Sequence, residues 1–322
     1  MVGEFADRPL DEQQARLTGR LVAERFLVRN SLEWRIYNKD AERSRWPLAA
    51  SGPRVLVLPS SRNEYAGVPE WRSGWSDFAD ALDDFFAAFG VGPQQVVLRC
   101  HPNWAERIGR VVGTRSMEHY ARWAAARGIH CIASTDRAST YDLIQEADVV
   151  VLNGSSSAID AGICGKQVIC LGPANYRRSG FVRMFDDRDA LQRAGALDPL
   201  DSADAIRKTL RFIYLNARRF PQFVDYVRAL STTRFEFYAG ADVERITTML
   251  RTSVVEADDP TCATTPAAED AVIERIAARD WAPLVAYEAP RRPLARFPVH
   301  RRAGLGWLDW ARSKLPRGDG AR

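Results

Sequence analysis

Short apolar runs alternate with segments of helical spacing from residue 54 to residue 171, and no other feature constrains the fold as strongly. The runs are Arg54–Leu58, Gln95–Arg99, His130–Ser134, Asp148–Leu152 and Gln167–Leu171. A strand that is apolar on both faces belongs inside a parallel sheet with helices on either side. Between the runs, Phe78, Leu82, Phe85, Phe86 and Phe89 mark one face of a helix, with Ser76 as a plausible N-cap and Gly90 at its stop. Ser116–Arg127, Thr140–Gln145 and Ala158–Ile163 supply the other helices. This order predicts an α/β fold with a doubly wound, parallel, Rossmann-like sheet and right-handed crossovers.

The centre of the pattern is Asp148–Leu152, which runs into Asn153, Gly154, Ser155, Ser156 and Ser157 before the helix that Gly165 ends. Ligands of open α/β sheets sit beyond the carboxyl ends of strands, where free backbone N–H groups and the helix dipole favour an anion. Three hydroxyls after Asn-Gly suit a phosphate there. Serine is also a preferred N-cap, which would account for one of the three.

The chain has 322 residues, 46% hydrophobic and 27% charged, which makes it globular and large enough for one large or two ordinary domains. No run approaches the roughly 18–20 apolar residues of a membrane span, and MVGEFADRPLDEQQ has no apolar signal core, so a cytoplasmic location is expected. Cys100, Cys131, Cys164, Cys170 and Cys262 lack C-x-x-C spacing. They read as reduced thiols, with neither a disulfide framework nor a metal site.

Outside the alternating region, residues 1–50 read as an N-terminal helical segment, with Leu17, Leu21, Phe26 and Leu27 at loosely helical spacing. Residues 51–252 form the expected Rossmann-like domain, including a helix over 202–219. Residues 253–268 have no core pattern and read as a linker, so 253–322 is expected to be a linker and basic amphipathic tail. Over 291–322 that tail interleaves arginines with Phe297, Leu305, Trp307, Leu308 and Trp310, which suits an anionic membrane surface. A solvated tail is the plain alternative, and nucleic acid is not the expected partner.

Three stretches in this order, RCHPN, STYDLIQEAD and NGSSSAIDAGICGKQVICLGPANYRRSGF, resemble the nucleotide-sugar-binding half of GT-B glycosyltransferases. The closest resemblance is to the bacterial capsule polysaccharide family that includes Kdo transferases, and it covers about residues 53–185. It implies a metal-independent transferase with no cofactor, using a CMP- or UDP-linked sugar and a glycan or glycolipid acceptor, peripheral to the inner face of the membrane. His101, Ser155, Ser156 and Ser157 would hold the donor phosphate and ribose, joined by Asn153. Asp160 stands where such enzymes tend to carry a ribose-binding glutamate.

Several further positions are open to two readings. His101 could equally be a turn histidine bonded to backbone, and Arg99 could meet a diphosphate or neutralise a nearby carboxylate. Ser134 and Thr140 could touch base or ribose, though Thr140 could also cap a helix. Arg62, Asn63 and Glu64 could face the acceptor, with Glu64 as general base or as a solvated loop residue. A complete GT-B enzyme has two Rossmann-like domains, so the resemblance implies a partner domain or homodimer to complete the cleft. The alternatives are a non-catalytic nucleotide-binding subunit and a related epimerase or glycerophosphotransferase.

Overall fold

The computed structural model describes residues 2–27, 41–49, 52–60, 72–105, 110–197, 199–220, 227–229, 235–239, 243–253, 263–290, 293–294 and a few positions beyond. Two compact units are present. The first comprises residues 1–29, 35–214 and 261–287, and the second 30–34, 215–260 and 288–322.

The first unit is built on β1 (Val55–Leu58), β2 (Val96–Arg99), β3 (His130–Ile132), β4 (Val149–Leu152), β5 (Gln167–Leu171) and β6 (Val182–Phe185). They form one sheet in the order β3-β2-β1-β4-β5-β6, and every pairing is parallel. Every residue of β1, β2 and β4 is buried, as the unbroken apolar runs predict. The edge strand β6 is new relative to the sequence reading. Its Val-Arg-Met-Phe is too short and too polar to stand out, and it is only half covered.

One face of the sheet is closed by α3 (Phe78–Phe89), α4 (Arg110–Ala126) and α7 (Arg188–Ala194). Val55, Val57, Val96, Leu98, Val149 and Val151 point into this layer and meet Leu82, Phe85, Tyr120 and Trp123. Gly90 ends α3 in the left-handed region at φ 64°, as expected, but the N-cap is Asp77, whose carboxylate accepts from Ala79 N at 2.9 Å. Ser76 instead donates to Asp80 at 2.6 Å.

Helices α5 (Thr140–Glu146) and α6 (Ser157–Ile163) cover the other face, with α8 (Ser202–Tyr214) packed on α6. The approach of α6 to α8 requires Gly162, because a Cβ there would fall 2.4 Å from Thr209 Oγ1 and 2.6 Å from the Phe181 ring. Outside α8 lie α2 (Glu12–Phe26), α10 (Ala267–Ala277) and α11 (Trp281–Val285), and Leu10, Val22, Leu210, Val272, Ile276 and Leu284 form a second core. Chain segments from both termini therefore belong to the Rossmann-like body. The boundaries expected at 50 and 252 fall elsewhere, and α10 and α11 are not part of a loose tail.

The reason is a buried charge network. Glu269 is wholly buried and accepts from Leu10 N at 2.8 Å, from Arg211 Nε and Nη2 at 2.8 Å each, and from Arg207 Nη1 at 3.1 Å. Arg211 also donates to Ala6 O at 2.7 Å, at the end of α1 (Val2–Ala6). A lone buried carboxylate would be costly, whereas one that fills its acceptor sites with guanidinium and amide donors is tolerated.

In the second unit, β7 (Val227–Ala229) pairs antiparallel with β8 (Phe235–Phe237). A single π-helical turn spans Leu215–Arg219, α9 spans Val243–Thr252, and Tyr238 bridges to Leu294. Of the expected membrane segment, Trp307 and Trp310 are exposed, and the arginines from 291 to 302 lie outside the described residues. Among the described residues no helix is long and apolar enough to cross a membrane.

Candidate functional site

The strand order reverses between β1 and β4, so the loops leaving these two strands diverge and open a crevice at the carboxyl edge. Asn153, directly after β4, reaches across it and accepts from Ser60 N, beyond the end of β1, at 2.7 Å. Sequence reasoning did not single out Ser60, which is buried at 2% exposure. Its only signal was its place directly after a strand. Gly154 turns the chain at φ 83° and its N–H donates to Cys170 Sγ, which fastens the β4 loop to the end of β5. Burial pushes the Cys170 thiol up to about 11.

The serine loop follows. Ser155 Oγ accepts from Ser157 N at 3.3 Å, a local turn, while its carbonyl receives Ala158 N. Ser156 is the N-cap of α6 by position, yet its side chain makes no capping bond. Ser156 already has helical backbone angles (φ −63°, ψ −15°), so the Ser155 bond to Ser157 N is of the N-cap type and occupies one of the three hydroxyls. Ser156 is exposed and its neighbours are half-buried at the carboxyl edge.

His101 lies beyond the end of β2, on the same edge and on the other side of β1. Its loop is held by Trp104, which is buried and stacked on Tyr120 at 5.7 Å and 7°. The loop passes so close to α4 that a Cβ on Gly113 would lie 2.6 Å from Trp104 O. His101 Nδ1 accepts from Asn103 N at 3.2 Å. The backbone bond anticipated as the plain reading thus exists, and it makes Nε2 the nitrogen that carries the proton in the neutral ring.

Three expected site residues are engaged elsewhere. Arg99 is 2% exposed and donates to Ala133 O, to Asp136 O at 2.9 Å and to Ala138 O at 3.3 Å. Buried and engaged with these carbonyls, it organises the loop after β3 rather than reaching toward a diphosphate. Asp160 is 3% exposed and takes Arg25 of α2 in a fork, at 2.5 Å to Nε and 3.0 Å to Nη2. That carboxylate faces α2 rather than a ribose. Ser134 turns inward and donates to Met117 Sδ at 3.0 Å. In each case the partner lies far off in sequence or is an atom type that no local pattern reveals.

Thr140 is the first residue of α5, and Ser139 rather than Thr140 is its cap, accepting from Asp142 N at 3.2 Å. Residues 42–44 run beside this loop, with Glu42 bridged to Ala138 and Ser44 N donating to Asp142 at 3.0 Å. Arg62, Asn63 and Glu64 lie outside the described residues. Among the described residues no three His, Cys, Asp or Glu side chains are grouped to hold a metal ion.

No family model matches the chain, and no curated protein matches it by sequence. Among solved structures it is similar to the beta Kdo 2,4 transferase of KpsC from Thermosulfurimonas dismutans, at 15% identity and TM-score 0.36, over 67% of this chain and 59% of that one. It is also similar to the beta Kdo 2,7 transferase of KpsC from the same organism, at 14% identity and TM-score 0.32, over 87% of this chain and 70% of that one. A third is the wall teichoic acid polymerase TagF, at 12% identity and TM-score 0.33, over 60% of this chain and 45% of that one. The Kdo transferases that the sequence motifs resemble are thus among the solved structures to which the chain is similar. The chain spans less than two thirds of the length of the first and third of these, and none of the likenesses carries a residue's role to it.

Proposed function

We propose that the carboxyl edge of the sheet binds a nucleotide-activated sugar, CMP- or UDP-linked, and that the chain acts as a metal-independent glycosyltransferase of bacterial surface polysaccharide synthesis. The observation that supports this is the placement of His101 and Ser155–Ser157 at the ends of β2 and β4, flanking β1 where the strand order reverses. Two strand spacings, roughly 10 Å, separate β2 from β4. That span suits the phosphate and ribose of one nucleotide held from both sides.

Transfer from an activated sugar breaks the bond between its anomeric carbon and the phosphate oxygen, and negative charge builds on the departing phosphate. Donors fixed in advance lower that barrier because they need no reorganisation as the charge develops. His101 Nε2–H and the serine hydroxyls are such donors, held by the Trp104–Tyr120 stack and the Asn153–Ser60 bond. The acceptor would be a glycan or glycolipid, with Glu64 as candidate base. Work at the cytoplasmic face of a membrane, through 291–322, belongs to the same proposal.

A thermal-shift panel of CMP, UDP, GDP and CDP tests the donor site, since a ligand bound only by the folded state raises its apparent stability. Replacing Ser155, Ser156 and Ser157 together by Ala is expected to weaken nucleotide affinity by roughly 10- to 100-fold. Unchanged affinity would assign the serines to the turn alone. No shift with any nucleotide would remove the reading.

A further inference from the structure

Cys100 and Cys131 have no part in that chemistry, yet their sulfurs lie 3.8 Å apart. They come from neighbouring parallel strands: Cys131 is paired in register with Leu98, and Cys100 N donates to Ile132 O at 2.9 Å. Both side chains emerge on the face covered by α3 and α4. A disulfide holds its sulfurs at about 2.03–2.05 Å. Cys131 stands diagonally to Cys100, two residues from its partner in the ladder, a separation of roughly 7–8 Å between Cα atoms, so closing the bond needs the backbone at the end of β2, next to His101, to move by about 1 Å.

The two thiols are unequal in a way that suits a sequential oxidation. Cys100 is wholly buried, whereas Cys131 is half-buried and so within reach of a small oxidant. The Cys100 thiol beside it, and the buried Arg99 guanidinium, pull the Cys131 thiol below its ordinary value. Contact with Cys131 and burial push Cys100 up. A low, accessible thiol next to a protected one is the arrangement of an attacking and a resolving cysteine.

We propose that Cys100 and Cys131 form a reversible disulfide when a hydroperoxide is present, and that this bond alters the grip of the site through His101, the residue next to Cys100. The Cys131 thiolate attacks the outer peroxide oxygen, the O–O bond breaks, and sulfenic acid forms as alkoxide, or hydroxide in the case of hydrogen peroxide, leaves. The Cys100 sulfur then attacks the sulfenic sulfur, its proton passes to the departing hydroxyl, and water is released. Two electrons pass from the sulfurs to the peroxide, and a dithiol reductant returns them. Only the consequence at His101 rests on the nucleotide reading.

The full-length protein, reduced and then exposed to hydrogen peroxide, should be alkylated, digested and mapped by mass spectrometry. The expected product is a Cys100–Cys131 cross-link that dithiothreitol reverses, that Cys131→Ser abolishes and that Cys164→Ser leaves intact. Peroxide treatment that yields other cross-links, or oxidised cysteines without this one, overturns the proposal, and the wild-type map decides this even if Cys131→Ser fails to fold. The CMP affinity of the oxidised form is expected to fall about 10-fold, the loss of one hydrogen bond to a charged group. Equal affinity in both redox forms would overturn the effect on the site. Absence of CMP binding to the reduced protein would count against the proposed function, and the cross-link map would still stand by itself.

Discussion

The two faces of the sheet are closed by different chemistry. On the side of α3, α4 and α7 the chain from residue 76 to 127 supplies most of the cover, and the contacts are aromatic: Phe85 with Phe89 at 5.0 Å, Trp104 on Tyr120 at 5.7 Å. On the side of α6 and α8 the outer layer is drawn from residues 10–26 and 267–285, and beside its apolar core it carries ion pairs: Glu269, wholly buried, with Arg211 and Arg207, and Asp160 with Arg25. Apolar packing is non-directional and forgives small changes of shape, whereas a buried ion pair fails when one partner goes. The two faces should therefore respond differently to the same kind of perturbation.

The largest test ends the chain after residue 260. It removes the anion that Arg211 and Leu10 N depend on, together with Val272, Ile273, Ile276 and Leu284, all buried. At about 1.5–3 kcal/mol for each such side chain, the loss is comparable with the whole stability of a domain, and the truncated chain is expected to show no cooperative melt. A sharp transition close to that of the full chain would mean that the outer layer is dispensable.

Next in size is a pair of single changes, one on each face. Glu269→Gln should cost about 3–5 kcal/mol, because it leaves buried arginine without its anion, whereas Phe85→Leu should cost about 1 kcal/mol. Urea denaturation of both variants measures the contrast, and equal losses would dissolve it. Smaller again is Asp160→Asn, at roughly 1 kcal/mol, since Arg25 is 38% exposed and reaches water when its partner is neutral. Its CMP affinity should stay within about twofold of wild type, less than one hydrogen bond to a charged group would contribute. A larger fall would restore Asp160 to the ribose.

The smallest effect concerns the rim of the aromatic face. The Asp84 carboxyl is held below its ordinary value by the hydrogen bond from Arg188, against the opposing effect of burial, with help from Trp75. A carboxylate with a depressed folded value stabilises above its unfolded value of about 3.9 and loses that contribution as the pH falls through its folded value. Asp84→Asn should therefore lower the melting temperature slightly at neutral pH and flatten its decline below about pH 4. An unchanged acid slope would show that the bond contributes nothing in solution.

This difference between the faces also explains what could be read from the sequence. The strands and α3 were legible because Val149–Val151 and the phenylalanines carry their own periodicity, and Gly90 marks its own stop. Helix α10 was not, because its buried stripe is only Val272, Ile273 and Ile276 in a segment that begins with Pro266. At the site, the strand-end positions of His101 and Ser155–Ser157 followed from pattern alone. The engagements of Arg99, Ser134 and Asp160 did not, since Ala133, Met117 and Arg25 are made neighbours only by the fold.

The bond between Leu10 and Glu269 spans 259 residues of chain. At synthesis rates of about 5–20 residues per second, that interval amounts to roughly 13–50 s. During it, Val22 and Ala23 of α2 first lack all cover and then gain that of α6 and α8, while the side that α10 and α11 close stays open to the end, and the aromatic face of the sheet can already close. The ionic face is thus completed last and only after translation has passed α11, which makes α2 the segment of the nascent chain with the longest need for a chaperone.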